Sequence, residues 1–259
     1  IKELARATST SVASIHRLCK KLGLEGYKEL KVEIARSSAL RMHKKFVNIN
    51  FSFDSNSGAT EITSRTGELY ETTLRETCSL LDPEALERAA NLISSSSNVD
   101  IYTRSHNLYP ARLFVDRMLS IGRAATCHDD FERQAWSAMS SDSNHVAIAI
   151  SYSGLADMLD ELLPILASRS VPVIFIGTPD AAKRRPGLDI YLYLGDSEDI
   201  QNRIAQFASH IAVQFVLDSL YSCVFARNYE QSLSSLQQAQ PYTTLLSPDE
   251  RPCGYVSKC

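Results

Sequence analysis

The sequence predicts an α/β protein in which an N-terminal all-α helix-turn-helix segment precedes a three-layer domain built on a parallel β-sheet. Short apolar runs alternate with helical patterns from Val99 onward, as in sheets that carry helices on both faces. Two short helical patterns with a tight break between them open the chain, which is the spacing of a helix-turn-helix. The distribution of charged residues also divides the chain into an N-terminal part and a larger second part.

Most of the positive charge lies near the N-terminus. Residues 1–45 hold eleven Lys and Arg against four Glu, a net charge of +7. Because the chain of 259 residues has a net charge of −3, the other 214 residues together carry −10. A basic head on an acidic body is typical of a nucleic-acid-binding domain joined to a partner domain. A basic face that only contacts solvent is the alternative.

Composition argues against several other classes of protein. No apolar run approaches the roughly 18 residues of a membrane span, and the first residues lack a signal-peptide pattern. We therefore predict a cytoplasmic protein with no membrane partner. The six cysteines are scattered, without a Cys-x-x-Cys pair or a Cys/His cluster. This spacing predicts reduced thiols and neither a metal site nor a cofactor.

The first 23 residues contain the two helical patterns. The first begins in mid-pattern at Ile1, with no Met and no cap before it, so we expect further residues upstream. Ser11 is a good N-cap for the second helix, and Gly23 is a good terminator. In that helix we expect three apolar side chains to face inward: Ile15, Leu18 and Leu22.

The second part of the chain predicts five strands and four long helices. The strands are expected at residues 99–103, 124–127, 146–150, 171–176 and 190–194. The helices are expected at about residues 107–121, 131–140, 155–168 and 200–225. The domain bounds predicted from these elements are 1–40 for the helix-turn-helix, 41–62 for a linker, 63–228 for the α/β domain with its leading helices, and 229–259 for a tail. Within the linker, alternating apolar residues at 46–53 suggest a short edge strand.

The stretch from Val146 to Gly154 predicts a ligand site. A buried strand ends there in Ser151-Tyr152-Ser153-Gly154, and a helical pattern follows directly. The unpaired N–H groups of a helix N-terminus and two serine hydroxyls would bind an anion. Gly154 would let the backbone approach the ligand. An ordinary strand-to-helix turn with Ser153 as N-cap is the alternative.

The N-terminal sequence IKELARATSTSVASIHRLCKKLGLEGYKELKVEIA resembles the DNA-binding domain of RpiR-type bacterial transcription regulators, most specifically at Arg17, Leu22-Gly23, Gly26-Tyr27 and Leu30-Lys31. The resemblance implies a double-stranded DNA operator as partner. It implies that Ser11 caps the recognition helix. The residues nearest the bases would be Val12, Ala13, Ser14 and Arg17, and the phosphate contacts would be Lys20, Lys21, Lys28 and Lys31.

Residues 97–225 resemble a sugar isomerase (SIS) domain, whose Ser-x-Ser-Gly loop and a serine after the first strand hold the phosphate of a sugar phosphate. The resemblance implicates six residues as ligand contacts: Ser105, Asn107, Ser151, Tyr152, Ser153 and Gly154. Two family hydroxyls are missing. The family's Gly-x-Gly-x-Ser loop is Thr-Arg-Ser-His-Asn here and ends in Asn107, and its Glu-Thr after the second loop is Leu155-Ala156. Arg104 or His106 could supply positive charge instead.

Together these features predict a DNA-binding transcription regulator, not an enzyme, whose SIS-type domain senses a phosphorylated sugar or related metabolite. The apolar helix expected at 200–225 predicts a homodimer or tetramer. Two alternatives remain open. A sugar-phosphate isomerase would need a positioned base, and no residue of the ligand loops is a carboxylate. An SIS domain without a ligand would serve only for dimerisation.

Overall fold

The structure is a computed structural model that describes residues 1–32 and 48–243. The chain divides into two compact units at Asn48 and Ile49, and each unit is described by itself. In the first unit, helix α1 spans Lys2–Ala7 and helix α2 spans Val12–Lys21. Residues 27–32 are also helical.

Both ends of α2 have the caps that the sequence predicts. The Ser11 hydroxyl accepts the N–H of Ser14 at 3.1 Å, which satisfies one of the unpaired donors of the first turn. At the other end Gly23 has a φ of +74°. Its N–H bonds to the carbonyl of Lys20, and the next N–H, of Leu24, bonds to that of Cys19. This Schellman arrangement ends the helix at a residue with no Cβ.

The inward face of α2 differs from the predicted one. Ile15 and Cys19 are buried with Ala5 and Leu30 in a small core. Leu18 and Leu22, which we expected to face inward, are 49% and 57% exposed in the described part of the unit. The prediction was wrong because the buried side of α2 is the side that carries Ile15 and Cys19, four residues apart. Leu18 lies at the edge of that side.

The second unit alternates strands and helices after two leading helices. The helices are α3 (Ala59–Leu80), α4 (Pro83–Ser95), α5 (Leu108–Ser120), α6 (Phe131–Ser140), α7 (Met158–Ser168), α8 (Pro179–Arg184), α9 (Phe207–Arg227) and α10 (Tyr229–Thr243). The strands are β1 (Asn98–Tyr102), β2 (Ala125–Cys127), β3 (His145–Ile150), β4 (Val173–Gly177) and β5 (Ile190–Tyr193). One 3₁₀ turn, Ser105–Asn107, follows β1.

The five strands form one parallel sheet in the order β2-β1-β3-β4-β5. Residues such as Ile148 and Ile174 pack on one face against α4, α5 and α9. Their neighbours Ala149 and Phe175 pack on the other face against α6, α7 and α8. The predicted three-layer α/β architecture is therefore confirmed.

A buried carboxylate on β1 joins three strands and a helix. Asp100 accepts hydrogen bonds from five side chains: Asn98, Thr126, Ser137, Ser141 and His145. The distances run from 2.5 Å for the Thr126 hydroxyl to 3.2 Å for that of Ser141. Because a buried carboxylate is costly without partners, this set of donors fixes how β1, β2, β3 and α6 pack.

Helix α9 is the central helix of the second unit. By length and composition alone it could cross a membrane, which our sequence analysis did not anticipate. It lies in the same layer as α4 and α5, on one face of the sheet. Its side chains Ala212, Val216 and Leu220 are fully buried there. This burial is what a core helix of a globular domain shows.

Several boundaries differ from the predicted ones. Helix α7 begins at Met158, three residues later than expected, and α9 begins at Phe207, seven later. Helix α8 was not predicted. Helix α3 begins at Ala59, inside the predicted linker, and residues 48–53 form no strand. The rest of the expected edge strand, and the tail after residue 243, lie outside the described residues.

Candidate functional site

The strand order places a crevice at the carboxyl ends of β1 and β3. Neighbouring strands of a parallel sheet whose connections run in opposite directions leave such a gap, and ligands of open α/β sheets bind there. A cavity of about 230 Å³ lies at this point. Its lining comes from the loop after β1, the loop after β3 and a third segment before α9: Arg104, Ser105, His106, Asn107, Ile150, Ser151, Tyr152, Ser153, Leu155, Ala156, Ile200 and Arg203.

The loop after β1 is held tightly on both sides. The buried Thr103 hydroxyl donates to the carbonyl of Ile150 at 3.0 Å, which joins this loop to the end of β3. The Gln134 amide donates to the carbonyl of Thr103 at 2.8 Å. Ser105 has a φ of +60°, a left-handed conformation that costs a non-glycine residue free energy. The surrounding bonds keep the loop in this strained form.

Two buried polar atoms of this loop have no hydrogen-bond partner. They are Nε2 of His106 and Oδ1 of Asn107, and Asn107 is only 6% exposed. Buried polar groups are nearly always paired, so each such atom requires an explanation. Both side chains line the cavity, where a bound polar molecule could supply the missing partners.

The loop after β3 differs from the predicted strand-to-helix turn. The Ser153 hydroxyl accepts the N–H of Leu155 at 3.2 Å, and α7 starts only at Met158. Asp157 caps that helix by accepting the Met158 N–H at 2.8 Å. The expectation of a helix N-terminus directly after Gly154 was therefore wrong, as was the alternative that Ser153 is the N-cap. The serine hydroxyls remain at the cavity.

Gly154 is required for packing and does not line the cavity. Its φ is +72°, and a Cβ atom there would lie 2.9 Å from both Cα and the carbonyl oxygen of Ala181 on α8. The glycine thus lets the loop pass close to α8, not close to a ligand. Arg185 supports the same loop, because its Nη2 donates to the carbonyls of Gly154 at 3.2 Å and Ala156 at 3.1 Å.

The third segment of the cavity was missed by the sequence analysis. Residues 196–206, which we call the 196–206 loop, run from β5 to α9 and carry Ile200 and Arg203 to the cavity. We had assigned residue 200 onward to a helix. The polar run Asp196-Ser197-Glu198-Asp199, followed by Gln201-Asn202, has no helical apolar face and could have indicated a loop.

Arg203 forms a buried ion pair with Glu198. The Arg203 side chain is 11% exposed and that of Glu198 is fully buried. Both Glu198 carboxylate oxygens also accept from Ser209, one from its N–H at 2.7 Å and one from its hydroxyl at 2.8 Å. The Glu198 N–H donates to the Tyr152 hydroxyl at 3.2 Å, which ties this pair to the loop after β3.

Two arginines, Arg104 and Arg203, bring positive charge to the cavity, and burial affects the titration of its other polar groups. Burial, and then the nearby positive charge of Arg203 and His210, lowers the pKa of His106 below its ordinary value. Burial raises the pKa of Tyr152 well above its usual range, and Asp196 adds to that effect. Arg104 pairs with Asp157 at the mouth of the cavity. An anion would find donors and positive charge here.

Five of the six residues predicted to contact a ligand line this one cavity: Ser105, Asn107, Ser151, Tyr152 and Ser153. Gly154 is the exception. Among the described residues there is no group of three or more His, Cys, Asp or Glu side chains placed to bind a metal ion.

The residues predicted to contact DNA lie on the surface of the first unit. Ser14 is half-buried, and the others are exposed: Ser11, Val12, Ala13, Arg17, Lys20, Lys21, Lys28 and Lys31. On α2, Ala13, Arg17 and Lys20 lie opposite the buried Ile15 and Cys19. The Arg17 guanidinium donates to the Ser14 hydroxyl at 3.2 Å, which holds it over the start of the helix.

The N-terminal segment matches a known family. Residues 1–41 match the helix-turn-helix domain of the rpiR family. Over 240 residues the chain is 28% identical to an uncharacterized HTH-type transcriptional regulator of Caldanaerobacter subterraneus subsp. tengcongensis, covering 92% of this chain and 82% of that protein. It is 24% identical to the regulator YbbH of Bacillus subtilis over 240 residues, 93% of this chain and 83% of that one. Residues 1–41 thus match the rpiR helix-turn-helix family, and over most of its length the chain is similar to HTH-type transcriptional regulators.

The structure resembles solved structures over both units and over the second unit alone. Vibrio vulnificus NanR complexed with ManNAc-6P matches 93% of this chain and 83% of its own, with a TM-score of 0.65 and 20% identity. The sugar isomerase domain of an RpiR transcription factor from Sphaerobacter thermophilus matches 69% of this chain and 97% of its own, with a TM-score of 0.59 and 16% identity. The second unit therefore has the SIS fold.

Proposed function

We propose that this chain is an RpiR-type regulator that binds a double-stranded DNA operator through α2 and senses a small phosphorylated metabolite, a sugar phosphate, in the cavity between β1 and β3. It would act in the cytoplasm as a homodimer or tetramer and catalyse no reaction. Ligand binding would alter operator affinity only through a difference in ligand affinity between the DNA-bound and free arrangements.

One observation carries the proposal. The cavity combines the hydroxyls of Ser151 and Ser153 with the guanidinium of Arg203 at the switch point of a parallel sheet. Hydroxyl and guanidinium donors are the groups that bind phosphate oxygens. A volume of about 230 Å³ suits a monosaccharide phosphate better than a nucleotide cofactor. That the NanR structure contains ManNAc-6P supports the same class of ligand for this chain.

The cavity also explains how a phosphate could be held without the two hydroxyls that the sequence lacks. Asn107 and Ala156 stand where hydroxyl residues would be expected, and both line the cavity. Arg203 adds a positive charge to the same space. A charged donor contributes more to binding an anion than a neutral hydroxyl does.

Calorimetric titration of the full-length protein tests the proposal. The panel would contain N-acetylmannosamine 6-phosphate, glucose 6-phosphate and fructose 6-phosphate, with the unphosphorylated sugars as controls. We expect at least one phosphate to bind and to change the affinity for a duplex that the protein selects from a random pool. If no sugar phosphate binds, the sensor function is wrong, and a domain that serves only for dimerisation becomes the better description.

An isomerase is the second candidate because Glu198 puts a carboxylate beside the cavity. Both of its oxygens are taken by Arg203 and Ser209, and the residue does not line the cavity. A general base needs a free oxygen within hydrogen-bond reach of a substrate proton. We expect no exchange of the C2 proton of a bound sugar phosphate in D₂O by NMR, and exchange above the rate in buffer would favour the enzyme.

A further inference from the structure

Asn50 contacts the 196–206 loop at two points. Its side-chain Oδ1 accepts the N–H of Asp199 at 2.7 Å, and its backbone carbonyl accepts the N–H of Ile204 at 2.9 Å. The two cavity residues of the loop, Ile200 and Arg203, lie between these points in the chain. One residue therefore holds both ends of the stretch that faces the ligand space.

The position of Asn50 in the sequence gives these bonds a further meaning. It is the second residue of the second unit, which begins at Ile49. Any displacement passed along the chain between the two units must go through this residue. Two residues later, the buried Ser52 carbonyl accepts the Arg65 guanidinium of α3 at 3.2 Å. The first residues of the second unit are thus hydrogen-bonded to both the 196–206 loop and α3.

The 196–206 loop is also tied to the cavity at its other side. The Glu198 N–H donates to the hydroxyl of Tyr152, which lines the cavity, and Arg203 pairs with Glu198. An anion bound to Arg203 would compete with Glu198 for the guanidinium. Arg203 would either move toward the anion or be shared between the anion and Glu198. Both results change the free energy of this loop in its present position.

We propose that Asn50 is the positioning residue through which ligand binding in the cavity is coupled to the DNA-binding unit. The inference rests on the proposed function and adds the route by which it is regulated. A ligand that favours one arrangement of the 196–206 loop favours one position of Asn50, where the chain enters the second unit. By linkage, operator binding then changes ligand affinity by the same factor.

The test compares three variants of the full-length protein. Asn50→Ala removes the acceptor of the Asp199 N–H. Asn50→Asp keeps an acceptor oxygen at the same place. Asn56→Ala is the matched control, because Asn56 is an exposed asparagine of the same lead-in segment whose N–H, not its side chain, is used in the loop bond to Asp54.

The measured quantity is the coupling factor, the ratio of the Kd for the tightest-binding sugar phosphate of the panel with and without the selected operator duplex. Coupling factors in regulators are typically about 5 to 150. Asn50→Ala loses the side-chain bond to Asp199 and keeps the backbone bond to Ile204, so we expect the factor to come at least about threefold closer to unity, while ligand and operator affinities measured separately change by less than about threefold. Asn56→Ala should keep the wild-type factor, and Asn50→Asp, which keeps the acceptor oxygen but adds a negative charge beside Asp199, should keep more of it than Asn50→Ala.

Different failures have different meanings. If wild type binds no ligand of the panel, the proposed function fails and this inference with it. If wild type shows coupling and Asn50→Ala shows the same factor, only the role of Asn50 is overturned. Hydrogen exchange gives a second readout: the ligand should slow exchange of the peptide that contains residues 48–58 in wild type but not in Asn50→Ala. Equal protection in both proteins would also overturn the role.

Discussion

At the scale of single residues, the two arginines of the cavity differ in how deeply their ion pairs are buried. Arg104 is 53% exposed and pairs with Asp157 at the surface, where an ion pair contributes little and a ligand can replace it easily. Arg203 is almost buried beside Glu198, where water screens less. An anion at Arg203 would have to share the guanidinium with Glu198, but its interaction would be screened less by water than one at Arg104.

Ser153 is placed to donate to an anion. Its hydroxyl oxygen already accepts the Leu155 N–H, so its proton is directed elsewhere. A hydrogen bond to a charged group contributes roughly 1.5–3 kcal/mol, so Ser153→Ala should weaken sugar-phosphate binding by about ten- to a hundredfold. Ser151→Asp should be worse because it adds a negative charge. Calorimetry measures this, with Ser55→Ala as an exposed control. Unchanged affinity in both cavity variants would mean that the ligand binds elsewhere.

His106 should make stability depend on pH. Burial, then Arg203 and His210, lowers its pKa in the folded protein below the ordinary value of 6.5. As pH falls below about 6.5, the unfolded chain takes up a proton that folded His106 does not, so the free energy of unfolding decreases. His106→Gln should reduce this decrease between pH 7 and 5. Urea unfolding at several pH values measures it, and an unchanged slope would contradict the assignment.

At the scale of elements, the strands and the starts of α2, α4 and α6 were predictable, but the starts of α7 and α9 were not. Continuous apolar runs such as Val146–Ile150 identify strands that are buried on both faces. The sequence Leu155-Ala156 after the Ser-Gly loop extends an apolar helical pattern backward, although Arg185 holds the carbonyls of Gly154 and Ala156 outside the helix. That guanidinium comes from 29 residues further along the chain, and local patterns do not contain such contacts.

The same limit applies to the candidate site. The two loops after β1 and β3 were predictable because polar residues end buried strands, and parallel strands bring those ends together. The place of Arg203 in the site was not predictable, because its loop is held at the cavity by contacts that involve Glu198, Ser209 and Asn50. These residues are distant in sequence from the loops after β1 and β3. The role of Gly154 was misjudged for the same reason, since Ala181 belongs to a helix of six residues that the sequence analysis missed.

Gly154, in the loop after β3, and Gly187, between α8 and β5, separate the effect of backbone strain from that of packing. Gly154 and Gly187 both have a positive φ, but only at Gly154 would a Cβ approach other atoms, at 2.9 Å from Ala181. Gly187→Ala should destabilise the second unit by about 1–2 kcal/mol through backbone strain alone. Gly154→Ala should cost about 2–5 kcal/mol, since overpacking adds to the strain. Urea unfolding compares the two, and equal losses would contradict the role of close packing.

At the scale of the whole molecule, charge and fold assign separate tasks to the two units. Within residues 1–32, the basic first unit has a small core of Ala5, Ile15, Cys19 and Leu30, and its lysines and arginines lie on the surface. The second unit has a two-sided core and the cavity. The division was visible in the sequence because both composition and periodicity change along the chain. The inward side of α2 was not, because Ile15, Leu18, Cys19 and Leu22 are all apolar and only tertiary contacts choose among them.

The last prediction concerns two residues of the first unit that we propose to contact DNA. Arg17 lies over the start of α2, where we propose that it contacts a base edge, whereas Lys28 is exposed on the helical residues 27–32, where we propose a phosphate contact. Arg17→Ala should weaken operator binding by roughly 1–3 kcal/mol and relax specificity at one base pair. Lys28→Ala should weaken binding to operator and random duplex alike and reduce the slope of log Kd against log salt by about one. Fluorescence anisotropy on both duplexes at several salt concentrations measures these effects. If Arg17→Ala weakened both duplexes equally, Arg17 would be a phosphate contact, and the start of α2 would not be the part of the regulator that reads the operator.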